Sequence, residues 1–252
     1  MGRDCETPRG VFRAGPVLIS ESLGNCGMAS LIVQTSEKVT LIGAGPVKTG
    51  TLKDALTLAP YCIAVDGGTE MARKYGIQPE HVLGDLDSIL QSTKRALDPT
   101  RTHHFSEQDT TDFDKALRSI RCPLIIGVGF LGGRLDHTVA NASTLLKYAD
   151  RNVILLSKRE VMFHLPPEIK VDLAPGSRIS VIPLRDVRAR STGLEWPLDA
   201  HFFAPGGMLG TSNRVTDGTV RIETLGEGLI AVAPRQALAS VAEALTRSRQ
   251  IT

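Results

Sequence analysis

The sequence predicts an α/β protein, with an N-terminal three-layer α/β domain on a mainly parallel sheet and a C-terminal all-β sandwich. From Val39 to about Ile169, short apolar runs rich in β-branched residues alternate with segments of helical period, which is the pattern of βαβ units. After Ile169 the helical period stops, and short strand candidates separated by turn residues follow. We therefore expect a domain boundary near Pro166 and Pro167.

Six apolar runs are the candidate strands of the parallel sheet. They are 39–42, 61–65, 81–83, 102–105, 124–128 and 153–156. Thr51 with Asp54 resembles a capping box, and Thr69 is a candidate cap for a helix that Gly76 ends. Apolar residues at helical spacing within 113–120 and 139–146 predict two more helices, each with one buried face.

The second half is predicted to contain strands at 178–183, 187–190, 219–224 and 228–232, and a short terminal helix over 236–245. Three segments follow from these patterns: an N-terminal extension over 1–27, an α/β domain over 28–168 and a β-sandwich over 169–252. Gly, Pro, Arg and Ser are mixed without period in the first segment. This composition makes Met28 a candidate natural start.

Charge and composition exclude several classes of protein. The 252 residues carry a formal net charge of only +2 and contain no long run of Lys or Arg, so we expect no nucleic-acid partner. No apolar segment approaches the roughly 18 residues that a membrane-spanning helix needs, and no secretory signal is evident. The four cysteines have no paired spacing, which is typical of reduced thiols. These features predict a cytoplasmic protein.

Aspartates are concentrated where the predicted strands end, which is where open parallel sheets bind ligands. Their positions are Asp66, Asp85, Asp87, Asp109, Asp112 and Asp136. Asp85 and Asp87 are two residues apart, so both carboxylates would point to one side of an extended backbone. Each aspartate alone is typical of a turn or a helix cap, but together their repulsion requires cations. Oxygen ligands without His or Cys indicate Mg²⁺, and Lys115 and Arg134 nearby suit a Mg²⁺-polyphosphate ligand.

The common phosphate-binding loops are absent from the segment GAGPVKT at 43–49, since Val47 stands where a Walker A loop has Gly. Gly43 and Gly45 allow either a close approach of backbone to a ligand or a plain turn.

The ordered motifs of the chain resemble the thiamine pyrophosphokinase family over residues 39–234. The matching motifs are VDGG (65–68), GDLDSI (84–89), QDTTDFDKAL (108–117), GGRLDH (132–137), TGLEWPL (192–198) and TSN (211–213). The resemblance implies an N-terminal domain that binds ATP and Mg²⁺, a C-terminal β-sandwich that binds thiamine, and a homodimer with the active site between subunits. One departure is Gly210, where many members have Ser.

The resemblance also implies roles for individual residues. The implied metal ligands are Asp66, Asp85, Asp87 and Asp112. The implied nucleotide-binding residues are Asp66, Gln108, Asp109, Thr111, Arg134 and Asp136. Asp85, Asp87 and Asp112 would be catalytic, with Asp85 or Asp112 accepting the hydroxyl proton, and Trp196, Ser212 and Asn213 would bind thiamine. Trp196 could equally lie in the core of the sandwich.

The reaction implied is transfer of pyrophosphate from ATP to the hydroxyl of thiamine, giving thiamine diphosphate and AMP. The alternatives are the same transfer to another alcohol such as a hydroxymethylpterin, a non-catalytic nucleotide or thiamine-phosphate sensor, and a metal-dependent phosphohydrolase.

Overall fold

The computed structural model of the protein describes residues 31–199 and 201–248. The expectations for 1–27 and for Met28 as the start lie outside the described residues. Across the two described ranges, no helix combines the length and the apolar character that a membrane crossing requires.

Strands and helices alternate through the first part of the chain, as the sequence predicts. The elements are β1 (Val33–Gln34), β2 (Val39–Ile42), α1 (Thr49–Leu58), β3 (Tyr61–Val65), α2 (Gly68–Lys74), β4 (His81–Gly84), α3 (Gln91–Ala96), a 3₁₀ turn (Pro99–Arg101), β5 (Thr102–His104), α4 (Asp112–Ser119), β6 (Ile120–Arg121), β7 (Ile125–Val128), α5 (Leu135–Lys147) and β8 (Val153–Leu156).

Strands dominate the second part. They are β9 (Glu160–His164), β10 (Glu168–Asp172), β11 (Arg178–Pro183), β12 (Val187–Thr192), β13 (Phe202–Phe203), β14 (Gly210–Arg214), β15 (Thr219–Leu225) and β16 (Leu229–Pro234). A 3₁₀ turn (Arg235–Ala237) and α6 (Leu238–Ser248) follow. The predicted terminal helix is therefore confirmed, although it begins two residues and ends three residues later than predicted.

One ten-stranded sheet runs through both parts of the chain, in the order β14-β11-β16-β9-β8-β7-β2-β3-β4-β5. The six strands from β8 to β5 in this order are parallel, and β9, β16, β11 and β14 are antiparallel to their neighbours. A four-stranded sheet has the order β10-β15-β12-β13, and β1 pairs with β6. Because the large sheet continues past Pro166, the division into two domains stays a prediction.

Alternate residues of the parallel strands enter different buried clusters, as expected where both faces of a sheet are covered. Leu41 of β2 packs in a cluster with Leu117 of α4, and Ile42 packs in a cluster with Leu52 of α1. The second cluster continues into both sheets of the C-terminal part, for example at Val220 of β15. The mixed α/β character of the prediction is confirmed.

Two predicted helix caps are wrong. Thr51 lies inside α1, which begins after Lys48, and Thr69 lies inside α2, which begins after Gly67. Gly68 explains the second error, because a side chain there would place its Cβ 1.9 Å from the carbonyl oxygen of Ile42. This close contact lets α2 begin directly after Asp66 and Gly67, two residues earlier than predicted.

Candidate active site

A cavity of about 450 Å³ lies at the carboxyl ends of the parallel strands, the position where such sheets bind ligands. It is lined by Gly43, Ala44, Gly45, Val65, Asp66, Asp85, Ser88, Gln108, Thr110, Thr111, Asp112, Phe113, Lys115, Gly129, Phe130, Gly133, Arg134, His137 and Asn141. We call it the carboxylate cavity.

Three predicted metal ligands come together at this edge. One carboxylate oxygen from each of Asp66, Asp85 and Asp87 lies within 4.8 Å of the other two. Asp66 is buried, and its Oδ1 atom has no hydrogen-bond partner among the described residues. An unpaired buried carboxylate is costly unless a cation compensates it. The donor set therefore fits Mg²⁺, which prefers carboxylate oxygens.

The backbone brings these carboxylates together by an unexpected route. Asp66 has φ 45° and Leu86 has φ 63°, a left-handed conformation that is uncommon for non-glycine residues and that clusters at functional sites. Asp85 and Asp87 lie close together, as predicted. The predicted cause, an extended backbone, is wrong, because Leu86 turns the chain between them. The backbone N–H of Asp87 donates to Oδ1 of Asp85 across this turn, at 3.2 Å.

Burial and hydrogen bonding act in opposite directions on Asp85. Burial raises the pKa of its carboxyl group, but the N–H of Asp87 and the side-chain amide of Gln108 donate to it and leave the pKa below its usual range. The distance from Nε2 of Gln108 to Oδ2 of Asp85 is 3.3 Å. Gln108, one of the expected nucleotide-binding residues, is thus joined directly to the carboxylate group.

Asp112, the fourth expected metal ligand, lines the cavity but is not part of the three-carboxylate group. Its Oδ1 lies 3.3 Å from Nζ of Lys115, whose side chain is only 2% exposed. Burial raises the pKa of Asp112, the adjacent ammonium lowers it, and the negative charges of Asp66 and Asp85 raise it further, so the net shift is upward. A buried cation thus stands beside the acidic edge of the cavity.

The other expected nucleotide-binding residues divide into two groups. Thr111, which caps α4 through its side chain, and Arg134 line the cavity. Asp109 and Asp136 do not line it. Asp136 instead receives two hydrogen bonds from the Arg134 guanidinium, at 3.1 and 2.5 Å, so its contact with the site is through that arginine.

Sequence reasoning missed Glu107, which organises the segment between β5 and α4. Its carboxylate accepts hydrogen bonds from the N–H of Asp109 at 2.9 Å, from the N–H and hydroxyl of Thr110 at 3.2 and 2.6 Å, and from Arg118. The Thr110 hydroxyl leads the causes that lower the pKa of Glu107 to about 2, against its ordinary value of 4.5. Its position one residue before the QDTTD motif was the only signal available.

The glycines of the 43–49 segment pack against another loop. The N–H groups of Gly43 and Gly45 donate to the carbonyls of Val128 and Gly129, at 2.8 and 2.9 Å. A Cβ on Gly45 would lie 2.5 Å from the carbonyl oxygen of Gly129. The two glycines therefore allow two backbone segments to pack closely together, and they also line the cavity. The expected approach of backbone to a ligand stays a prediction.

Two of the three expected thiamine-binding residues, Trp196 and Asn213, line a second, smaller cavity of about 130 Å³, and Ser212 does not line it. It is lined by Trp196, Pro197, Leu198, His201, Phe203, Met208, Leu209, Gly210, Thr211 and Asn213. We call it the Trp196 cavity. Trp196 is 52% exposed, so it does not belong to the core, and that alternative is excluded. Within the described chain, this cavity and the carboxylate cavity share no lining residue.

Asn213 and Ser212 hold the backbone of this region. Nδ2 of the buried Asn213 donates to the carbonyl of Trp196 at 2.6 Å, and its Oδ1 accepts from the N–H of Trp196 at 3.2 Å. Ser212 has φ 61° at an irregularity in the pairing of β11 with β14, and its N–H donates to the hydroxyl of Ser180. Such bulges re-aim side chains near functional sites.

The fold and the site together define an α/β protein with an acidic, metal-type cavity at the carboxyl edge of its parallel strands. Residues 52–156 match the family model described as thiamin pyrophosphokinase, catalytic domain, and residues 167–227 match thiamin pyrophosphokinase, vitamin B1 binding domain. Thiamine pyrophosphokinase of Bacillus subtilis (strain 168) is 33% identical over 165 residues, covering 61% of this chain and 77% of the relative. The chain belongs to the thiamin pyrophosphokinase family, which confirms the resemblance of its motifs.

A second curated relative and two solved structures are also similar to this chain. Thiamine pyrophosphokinase 1 of Oryza sativa subsp. japonica is 34% identical over 164 residues, and the match spans 58% of this chain and 62% of the rice protein. The crystal structure of thiamine pyrophosphokinase from Bacillus subtilis has a TM-score of 0.64 at 26% identity, covering 79% of this chain and 99% of that one. Yeast thiamin pyrophosphokinase has a TM-score of 0.67 at 14% identity, covering 83% of this chain and 89% of that one, which shows the fold alone.

The hydrogen bonds of Glu107 predict that its contribution to the stability of the protein is lost at low pH. Glu107→Gln should lower the free energy of unfolding at neutral pH by about 1–2 kcal/mol, because charge-assisted bonds are lost. Since folding depresses the pKa of Glu107, its contribution is present above about pH 4.5 and is lost as the pH falls toward about 2. Urea unfolding over this range should therefore show the two proteins converging at low pH. Exposed Glu37 provides the matched control, Glu37→Gln, and a pH-independent difference for Glu107→Gln would contradict the assignment.

A side chain at position 210, beside the Trp196 cavity, is predicted to clash with its neighbours. The φ of Gly210 is not in the left-handed region, but a Cβ there would lie 2.3 Å from Cγ2 of the buried Val181. Gly210→Ser should therefore destabilise the protein by about 1–3 kcal/mol. In a Val181→Ala background, Gly210→Ser should lower the thermal stability by less than it does in the wild type, because the smaller side chain makes room. Simple additivity of the two substitutions would show that the contact does not limit the position.

Proposed function

We propose that this protein transfers the pyrophosphate group of ATP to the hydroxyl of thiamine. In this reaction the hydroxyl oxygen forms a bond to the β-phosphorus, and the bond from that phosphorus to the oxygen bridging it to the α-phosphorus breaks. AMP leaves with that oxygen, the hydroxyl proton passes to a carboxylate of the protein, and thiamine diphosphate is the second product. Membership of the family and the three converging carboxylates support this proposal.

The metal assignment rests mainly on one observation, the buried Asp66 oxygen without a partner beside Asp85 and Asp87. These three residues would hold Mg²⁺, which when bound neutralises charge on the phosphate oxygens. Asp112, outside that group, is the better of our two candidates to accept the hydroxyl proton, because its pKa is shifted upward, mainly by burial, and one donor, Lys115, engages it, whereas two donors engage Asp85. Lys115 would compensate the negative charge that develops on the phosphates.

The nucleotide is proposed to occupy the carboxylate cavity, with Gln108, Thr111 and Arg134 at its phosphates. A guanidinium suits this role because its planar donors match phosphate oxygens. Asp136 would orient Arg134 through the two hydrogen bonds that join them, and Asp109 would act through the segment that Glu107 holds. Positioning and charge neutralisation would supply most of the rate enhancement.

Thiamine is proposed to bind at the Trp196 cavity, where the exposed indole can stack on the cationic thiazolium. The two cavities share no residue in one chain, and apolar side chains are exposed beside both: Leu135 and Val139 on α5, and Met208 and Leu209 near Trp196. Burying such patches is a common basis of association. We therefore propose a cytoplasmic homodimer whose active site combines the α/β part of one subunit with the β-sandwich of the other.

Identification of the products with ATP, Mg²⁺ and thiamine tests the proposal directly. AMP and thiamine diphosphate are expected in equal amounts. ADP as the main nucleotide product would refute pyrophosphoryl transfer, and free phosphate would indicate a hydrolase. Turnover only with a hydroxymethylpterin would show that the acceptor is not thiamine. Nucleotide binding without any turnover would indicate a sensor.

Asp87→Asn should remove most of this activity, because one of the three converging oxygens is replaced by an amide. The free energy of unfolding without metal should be unchanged or higher, since repulsion within the carboxylate group decreases. Product assays at limiting Mg²⁺ and urea unfolding in EDTA measure the two effects. Asp186→Asn, an exposed aspartate without an ion pair in the described chain, is the matched control. Near wild-type turnover of Asp87→Asn at limiting Mg²⁺ would refute the metal assignment.

Trp196→Ala should raise the KM for thiamine by about tenfold and leave that for ATP nearly unchanged. Because the indole is half exposed, the melting temperature should change little.

If the site lies between subunits, mixing Trp196→Ala with Asp87→Asn under subunit exchange should restore activity. Half of the dimers are then mixed, and each mixed dimer has one intact site, so about a quarter of all sites should be wild type. Absence of recovery after proven exchange would place both halves of the site in one chain.

A further inference from the structure

A third cavity lies between α1, the turn that joins β8 to β9, and the beginning of α6. Its volume is about 570 Å³, larger than that of the carboxylate cavity, and it shares no lining residue with either cavity described above. The charged residues that line it are Lys53, Asp54, Lys158, Arg159 and Arg235. Four cations and one carboxylate give this lining a net charge of +3.

The single carboxylate is already engaged. Oδ2 of Asp54 accepts hydrogen bonds from Nε and Nη2 of Arg235, at 2.9 and 2.7 Å. Lys53, Lys158 and Arg159 have no carboxylate within ion-pairing distance in ranges 31–199 and 201–248. Three cations converging on a concave surface repel one another, and an anion would relieve this repulsion.

The backbone that carries Lys158, Arg159 and Arg235 is held in place by hydrogen bonds. The hydroxyl of Ser157 accepts from the N–H groups of Arg159 and Glu160, at 3.2 and 2.9 Å, which fixes the turn that carries Lys158. The N–H of Arg235 donates to the carbonyl of Arg159 at 2.8 Å, so both arginines belong to one hydrogen-bonded unit. Such preorganisation reduces the entropy lost when a ligand binds.

We propose that this cavity binds the phosphate or diphosphate group of a small molecule without a metal ion. Guanidinium and ammonium groups are the usual partners of phosphate oxygens, and the charge of the lining matches that of a diphosphate. Thr57 and Gln236 also line the cavity, and Leu58, Leu238 and Ala239 provide apolar contacts for an organic part. The volume lies within the range of small-molecule sites. The site is separate from the carboxylate cavity and does not depend on the proposed reaction.

Titration calorimetry on the full-length chain in EDTA tests the proposal, since the carboxylate cavity then lacks its cation and repels phosphates. The probes are inorganic pyrophosphate, AMP and thiamine diphosphate. At least one should bind, more weakly as salt is added, and the tightest one identifies the source of the phosphate group. Lys158→Ala with Arg159→Ala should weaken that binding by at least about tenfold, while the backbone contacts of the turn remain.

The matched control is Lys94→Ala with Arg95→Ala, which removes the same two charges from α3, outside the cavity. It should bind the probe as the wild type does, and Lys53→Ala should weaken binding without altering the turn. Circular dichroism and thermal unfolding verify that each variant is folded. Binding of none of the three probes to the wild type, or equal losses in the two double variants, would overturn the proposal.

Discussion

Repulsion among the carboxylates of Asp66, Asp85 and Asp87 is the constraint around which the carboxyl edge of the parallel strands is arranged. Two left-handed residues, Asp66 and Leu86, hold these groups close together, and both the backbone conformation and the repulsion cost free energy. Burial of an unpartnered Asp66 oxygen adds to that cost. The rest of the fold supplies the stability that keeps this arrangement folded, which is typical of sites shaped for a ligand and not for stability.

Much of the fold could be predicted because its strands are apolar runs with clear boundaries. The runs at 61–65 and 153–156 agree with β3 and β8 residue for residue. Strand β14, GTSNR, was missed because polar residues, a glycine and a bulge hide its alternation. The continuity of the large sheet through β9 was also missed, since two prolines follow that strand and pairing between distant segments leaves no local signal.

The candidate site was predictable to the extent that its residues carry charge and lie in motifs. Asp66, Asp85 and Asp87 were expected together and lie together. The turn at Leu86 and the hydrogen bonds of Glu107 depend on backbone conformation, which residue types alone do not specify. Gly210 shows the same limit, because the space for its missing side chain is taken by Val181 from the neighbouring strand. The glycine at position 210, where many family members have Ser, is thus matched by close packing against Val181, which is visible only in the three-dimensional structure.

The place of β16 in the large sheet has a consequence for synthesis of the chain on the ribosome. This strand lies between β9 and β11, and its last residue, Pro234, pairs with Glu160. When β9 has left the exit tunnel, one of its edges therefore remains open until the residues of β16 have also been translated. An open strand edge is a template for pairing with other chains. The unpaired edge of β9 is therefore exposed while the residues between β9 and β16 are synthesised. During this time the nascent chain is open to pairing with other chains.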